Sequence, residues 1–295
     1  MNFHLNLGDI YALLTALCWS SAVVLFDLSS RTLSSLQMNL LKNMIGVFGF
    51  ILTLLFLEGG FPKCSSIDFI VLVISGTLGV AIGDLLFFAS LRRLGSGLSA
   101  IVGTSYSPAI FLFSFLMFKE TIATQSYIGG FLVMTGIIVG TFKVPSSYGK
   151  KSIIKGIIYG IIAQALTAFS VLMVRPIMEI YPIIFIAFVR FGTGLILSSI
   201  ILWISKGKTA LTQTFQKGIK NIYLVAGGLL GTYLSVIFWL SGYKYTLAGR
   251  AAIYNQLSTI LIILLAAVFL KEDMTKRKWF SVGLAVFGTL LVSSG

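Results

Sequence analysis

Gly76 to Gly140 reads GTLGVAIGDLLFFASLRRLGSGLSAIVGTSYSPAIFLFSFLMFKETIATQSYIGGFLVMTGIIVG, and its pattern returns downstream without a gap. Gly76 aligns with Gly228, Gly79 with Gly231, Gly97 with Gly249, Lys119-Glu120 with Lys271-Glu272 and Gly136 with Gly288, always at a separation of 152 (228 − 76). Glycines and charges recurring at one fixed period through successive apolar runs are the signature of an internal duplication. Towards the amino terminus the copies align at 148 instead, pairing Gly8 with Gly156, Tyr11 with Tyr159, Lys42 with Arg190 and Gly46 with Gly194. The step from 148 to 152 requires four extra residues in the second copy, expected in the polar run Ser205 to Asn221.

Across the whole chain, 57% of the 295 residues are hydrophobic and 11% charged, and the mean hydropathy is +0.99. A soluble domain of this size cannot hide that much apolar surface, so the chain is expected to be an integral membrane protein. The net charge of +13 would point to nucleic acid in a soluble chain. Here Lys and Arg fall mainly between apolar runs, where they meet lipid headgroups and set orientation, so no nucleic-acid partner is expected. Cys18 lies inside an apolar run and Cys64 in a short loop, which is no disulfide framework. Met1 to Gly8 has no basic leader region, so the first apolar run is expected to be a retained span.

A hydrocarbon core needs roughly 20 apolar residues per helix, and about ten runs approach that length. They are Leu7 to Leu28, Leu36 to Leu57, Ile67 to Leu91, Leu98 to Phe118, Thr124 to Phe142, Ile153 to Val174, Ile183 to Ile204, Ile222 to Gly242, Arg250 to Leu270 and Trp279 to Ser293. The expected fold class is therefore all-α integral membrane, about ten transmembrane helices arranged as two inverted five-helix repeats. A repeat with an odd number of spans re-enters from the opposite side, which requires a pseudo-two-fold axis in the membrane plane. Residues 1–144 form the first repeat and 153–295 the second, joined by a linker at 145–152 that includes Pro145, Ser146, Ser147 and Gly149. Gly79 with Gly83, Gly136 with Gly140, and Gly156 with Gly160 make GxxxG pairs suited to close helix packing.

Cys18-Trp19-Ser20 in the first span, a basic residue early in the second span of each half, Tyr106-Ser107-Pro108 followed by Lys119-Glu120, and the closing Gly129 to Gly136 spacing carry a family resemblance. Together, and in two copies, they resemble the drug/metabolite transporter superfamily, specifically EamA-type permeases. The second half departs from the pattern at Ser258-Thr259, where a Leu-Pro is expected. The resemblance implies a ten-helix carrier in a prokaryotic plasma membrane that exports amino acids, other small metabolites or drugs without hydrolysing ATP.

Several polar residues lie where lipid would penalise them. Asp84 sits well inside an apolar helix, where a carboxylate needs a partner or a water-filled cavity. Lys42 lies at a similar depth from the same face, about 10 Å at 1.5 Å per residue, so an intramembrane ion pair is expected; the alternative is that Lys42 snorkels to the headgroups. Arg190 occupies the position of Lys42 in the second half, but Asp84 aligns with Val236, so Arg190 lacks an obvious acid. It is read either as a receptor for an anionic substrate group or as a second snorkelling cation. Tyr106 within the polar run Thr104 to Ser107, and Tyr254, Asn255 and Gln256 in the ninth run, are candidate cavity residues, as is Trp19; helix packing is the competing role. Asp84 is expected to couple transport to protons, or to an ion pair that breaks during the cycle.

His4 is the single histidine, and neither a Cys/His ligand set nor a phosphate-cradling glycine loop is present. Neither catalysis, a metal centre nor a cofactor is therefore expected. The expected partners are a small-molecule substrate and the lipid bilayer. Orientation divides two rules: basic residues crowd the linkers after the fifth, seventh and ninth spans, among them Lys150, Lys208 and Lys278, and the positive-inside rule then puts both termini outside. The family resemblance puts them inside.

Overall fold

The computed structural model describes residues 6–119, 124–141, 149–246, 251, 254–255 and 257–294, and every regular element among them is helical. In chain order these are α1 (Leu7–Ser30), α2 (Ser35–Phe56), α3 (Ser66–Gly103), α4 (Tyr106–Phe118), α5 (Thr124–Thr141), α6 (Lys150–Val174), a 3-10 turn at Pro176–Glu179, α7 (Ile183–Lys220), α8 (Ile222–Tyr245), α9 (Leu257–Phe269) and α10 (Lys276–Ser294). Six of them, α1, α2, α3, α6, α7 and α8, are long and apolar enough to cross a membrane. Large apolar side chains such as Phe48, Phe56, Ile67, Phe131 and Ile204 stay exposed on the outside, as a lipid-facing surface requires.

Helix starts follow their local chemistry. Asn6 accepts from the Asp9 amide while Asp9 accepts from the Asn6 amide, and Ser34 and Gln37 form the same reciprocal box before α2; each satisfies two donors that a helix start leaves open. Interruptions inside α3 and α7 are longer in reach than the sequence suggests. At Gly95 the backbone turns to φ 74°, ψ 172°, and the helix restarts on a new axis at Ser96, a conformation that side chains with a Cβ resist. Gly207 does the same within α7. The third run thus reaches Leu94 rather than Leu91, and the fourth begins at Ser96 rather than Leu98. That fourth run is broken again at Thr104 and Ser105, whose hydroxyls bind the Ile101 and Val102 carbonyls. Pro108 falls in the first turn of α4, where its missing N–H costs no hydrogen bond.

Each half also contains a stretch of π-helix, Gly76–Gly83 in α3 and Gly228–Leu234 in α8. They begin 152 apart, and each closes with an i→i−5 bond, Asp84 N–H to the Gly79 carbonyl and Ser235 N–H to the Leu230 carbonyl. The left-handed residues repeat too, Lys119 with Lys271 at 152 and Gly59 with Gly207 at 148. The four added residues therefore lie between Gly207 and Gly228, in or beside the helical turn that ends α7.

Packing between the halves is reciprocal. α2 packs on α7 and α5 on α10, whereas α1 packs on α8 and α6 on α3. A Cβ added at Gly46 would lie 2.6 Å from Thr232 Cγ2, and one added at Gly194 would lie 2.5 Å from Val80 Cγ1; both partners are related by the two offsets. Likewise Gly136 abuts Ser281 and Ala285 while Gly288 abuts Gly129 and Val133. The principal helix pairings between the halves thus recur when the halves are exchanged. Close approach at small residues is the main packing force between helices in lipid.

Candidate functional site

A cavity of about 180 Å³ lies between the halves, walled by α1, α2, α3, the start of α4, α6, α7, α8 and the start of α9. Its charged residues are Lys42, Asp84 and Arg190, and Trp19, Phe87, Phe88, Tyr106, Phe191 and Trp239 supply aromatic surface.

The π segment of α3 creates the first charged corner. Its wider turn takes the Val80 and Ala81 carbonyls out of register with the α-helical ladder, and Asn39 of α2 donates to both at 3.1 and 3.0 Å. Asn43 donates to the Asn39 side-chain oxygen at 3.3 Å. One helical turn further round, Lys42 Nζ lies 2.7 Å from Asp84 Oδ2 and 2.7 Å from Asn43 Oδ1. It also stands 4.8 Å from the Phe191 ring centroid. Lys42 is 4% exposed, and the Asp84 side chain 20%, so Lys42 turns inward rather than snorkelling. The ammonium is held by an ion pair, an amide oxygen and a ring face, which compensates its desolvation.

Arg190 makes the second corner and is wired differently. It is 2% exposed, and Nη2 donates to Ser170 Oγ at 3.1 Å. Ser170 is itself fixed, donating to the Thr167 carbonyl and accepting on its own carbonyl from Ser75. Trp239 lies 5.8 Å from the guanidinium carbon. Nε and Nη1 are buried with no hydrogen-bond partner among the described residues. Arg190, like Lys42, thus points into the protein and not to the headgroups.

Trp19 packs on Phe87 with ring centroids 5.5 Å apart, and the Tyr106 hydroxyl meets that of Tyr243 at 3.0 Å. Asn255 lines the cavity with its Oδ1 buried and without a partner among the described residues. Of the eight candidates from the sequence, the cavity brings together Trp19, Lys42, Asp84, Tyr106, Arg190 and Asn255. Tyr254, the residue before Asn255, is half-buried and is not part of the lining, since neighbouring residues on a helix face about 100° apart. Gln256 lies outside the described residues. Sequence reading passed over Trp239 and Gln164, both in the lining, and the supports Asn39 and Asn43. The asparagines had a visible signal, two amides at i and i+4 in an apolar run beside Lys42; Trp239 had none beyond its alignment with Phe87.

The comparisons with known proteins agree with this layout. A solved crystal structure superposes on the chain with a TM-score of 0.66 at 15% identity, covering 96% of this chain and 95% of that one, which is a likeness of fold. An uncharacterised transporter of Archaeoglobus fulgidus is 23% identical over 291 residues, 96% of each chain. The uncharacterised transporter YetK of Bacillus subtilis is 23% identical over 247 residues, 81% of this chain and 72% of its own length. The EamA-like transporter family matches twice, over residues 6–142 and 154–294. The two matches fall on the two copies read from the 148 and 152 periods and together span nearly the whole chain, so this multi-pass membrane protein belongs to the EamA-like transporter family.

Proposed function

We propose that the chain is a secondary carrier that moves a small organic solute by alternating access, two inverted five-helix repeats rocking about the cavity between them. The observation that carries this reading is that both repeats contribute a buried cation from the same position, Lys42 and Arg190, to one shared cavity. Sites at a repeat interface, beside locally unwound helices, are where rocking of one repeat on the other opens alternate sides. The reciprocal glycine contacts support a two-fold relation between the repeats, and the odd number of spans read in each sequence copy supports placing its axis in the membrane plane. Export is the direction that the family resemblance favours, and the names of the relatives support a non-enzymatic role.

The cavity contains two cationic side chains and one carboxylate, which disfavours hydrophobic cations and hence a multidrug exporter. Asp84 couples the cycle to protons in this reading, because breaking its pair with Lys42 as the cavity hydrates leaves a carboxylate free to take one up. Counterflow of labelled amino acids and small organic acids in proteoliposomes tests the carrier. Saturable exchange that responds to a pH gradient in the wild type but not in Asp84→Asn is expected. Absence of flux for every solute, with folded protein, favours a non-transporting scaffold.

A further inference from the structure

Arg190 is a guanidinium with five N–H donors, of which one is used among the described residues. Nη2 gives one hydrogen to Ser170, while Nε and Nη1 have no partner although the side chain is almost wholly buried. The fork has two bidentate edges, Nε with Nη2 and Nη1 with Nη2. Whichever Nη2 hydrogen Ser170 takes, the other completes one whole edge, so one two-pronged donor surface stays free.

Among the described residues nothing accepts from that edge. Where Lys42 has Asn43 and Asp84, the aligned residues in the second half are Phe191 and Val236, both apolar and both on the cavity wall beside Arg190. Ser170, its hydrogen-bond partner among the described residues, aligns with Ala22. A buried charge left without an acceptor is costly unless a ligand supplies one. The cavity has a second unmet group, the Asn255 Oδ1, which accepts hydrogen bonds. Its aromatic walls enclose about 180 Å³, and an apolar cavity of roughly 150 Å³ suffices for benzene.

We propose that the solute of this cavity is a small organic anion. A planar two-oxygen group of the carboxylate class docks on the free edge of Arg190, an apolar body of about one ring lies among Trp19, Phe87 and Trp239, and a hydroxyl or amine on that body donates to Asn255. The inference rests on the cavity being the solute site of a carrier, and it is tested by binding alone, so failure of the charge preference is separable from failure of flux.

Purified full-length protein is titrated with phenylacetate, phenylacetamide and phenethylamine, which keep one body and change its charge from negative to neutral to positive. Acetate and inorganic phosphate report the anion without the body, as a lipid headgroup would present it. Trp19 and Trp239 line the cavity, so saturable change in tryptophan fluorescence and a rise in melting temperature are the readouts. Phenylacetate is expected to bind at least tenfold more tightly than the amide, the amine and acetate. Arg190→Gln is expected to lose that preference, and Arg190→Lys to keep a weakened one, because it retains the charge without the fork. Equal response to the amide, no response to phenylacetate, or an undiminished response in Arg190→Gln overturns the inference. If Arg190→Gln does not fold, the wild-type charge series decides by itself.

Discussion

Lys42 and Arg190 occupy one position in two copies of the same unit, yet of the two only Lys42 is in a contact ion pair among the described residues. Around Lys42 the first copy places Asp84 and Asn43, each 2.7 Å away. Around Arg190 the second copy places Val236 and Phe191 at the aligned sites and one serine hydroxyl at 3.1 Å. The helical frame is shared, down to a π segment in the third helix of each copy. Duplication has thus preserved the backbone and separated the chemistry: one corner is a closed ion pair, the other an open donor surface. A symmetric scaffold gains directionless geometry from its repeats and specificity from where the repeats differ.

The largest expected effect comes from breaking the closed corner. Asp84→Ala leaves the Lys42 ammonium buried without its acid and is expected to cost about 3–5 kcal/mol, measured by unfolding in mixed detergent. Lys42→Met added to Asp84→Ala recovers part of that loss, since the charge that lacked a partner is gone, and the two substitutions are strongly non-additive. Additive losses would mean that the pair at 2.7 Å contributes little.

The comparison sharpens if the second corner is given what the first has. Val236→Asp supplies the aligned acid, so Arg190 gains an internal partner and its edge is no longer free. Phenylacetate binding is expected to weaken by about 10–100-fold, roughly 1.4–2.8 kcal/mol, with the melting temperature maintained. Asn43→Ala removes one acceptor from Lys42 and is expected to destabilise by about 1–3 kcal/mol while leaving anion binding near the wild-type value.

The smallest effect concerns the end of the molecule away from the cavity. Ser96 Oγ lies 3.1 Å from Asp27 Oδ2 and 3.2 Å from Glu272 Oε1, but a hydroxyl has one hydrogen to give. Asp27→Asn turns one of the two acceptors into a group that can donate, so a small rise of up to about 1 kcal/mol is expected in thermal unfolding.

Much of this was legible in the sequence, for a physical reason. Charge inside lipid is expensive, so Lys42, Asp84 and Arg190 stand out wherever they occur, and counting residues from the membrane face put Lys42 and Asp84 at one depth. The fixed periods aligned Asp84 with Val236, which already marked Arg190 as short of an acid. What could not be read is where the helix changes its turn. A π segment uses the same apolar residues as an α-helix, and Gly76 to Gly83 read as ordinary packing glycines; the segment reveals itself through the Asn39 bonds to its freed carbonyls. Tyr254 was grouped with Asn255 by adjacency, whereas helix geometry turns it off the cavity. The restart at Gly95 was likewise hidden, because Ser96 and Gly97 acquire meaning only when Asp27 and Glu272 arrive from distant segments to cap them.

The claim that one cation is internally satisfied and the other kept for a ligand is tested most directly by melting two ligand-free variants side by side, Lys42→Met and Arg190→Met. Removing Lys42 strands Asp84 and Asn43, so the melting temperature is predicted to fall. Removing Arg190 deletes a buried charge that, among the described residues, has one neutral hydrogen bond and the Trp239 ring, and Met keeps an apolar side chain of similar reach against that ring, so the melting temperature is predicted to rise. A fall of similar size in both variants would contradict the account, because Arg190 would then be as much a structural residue as Lys42.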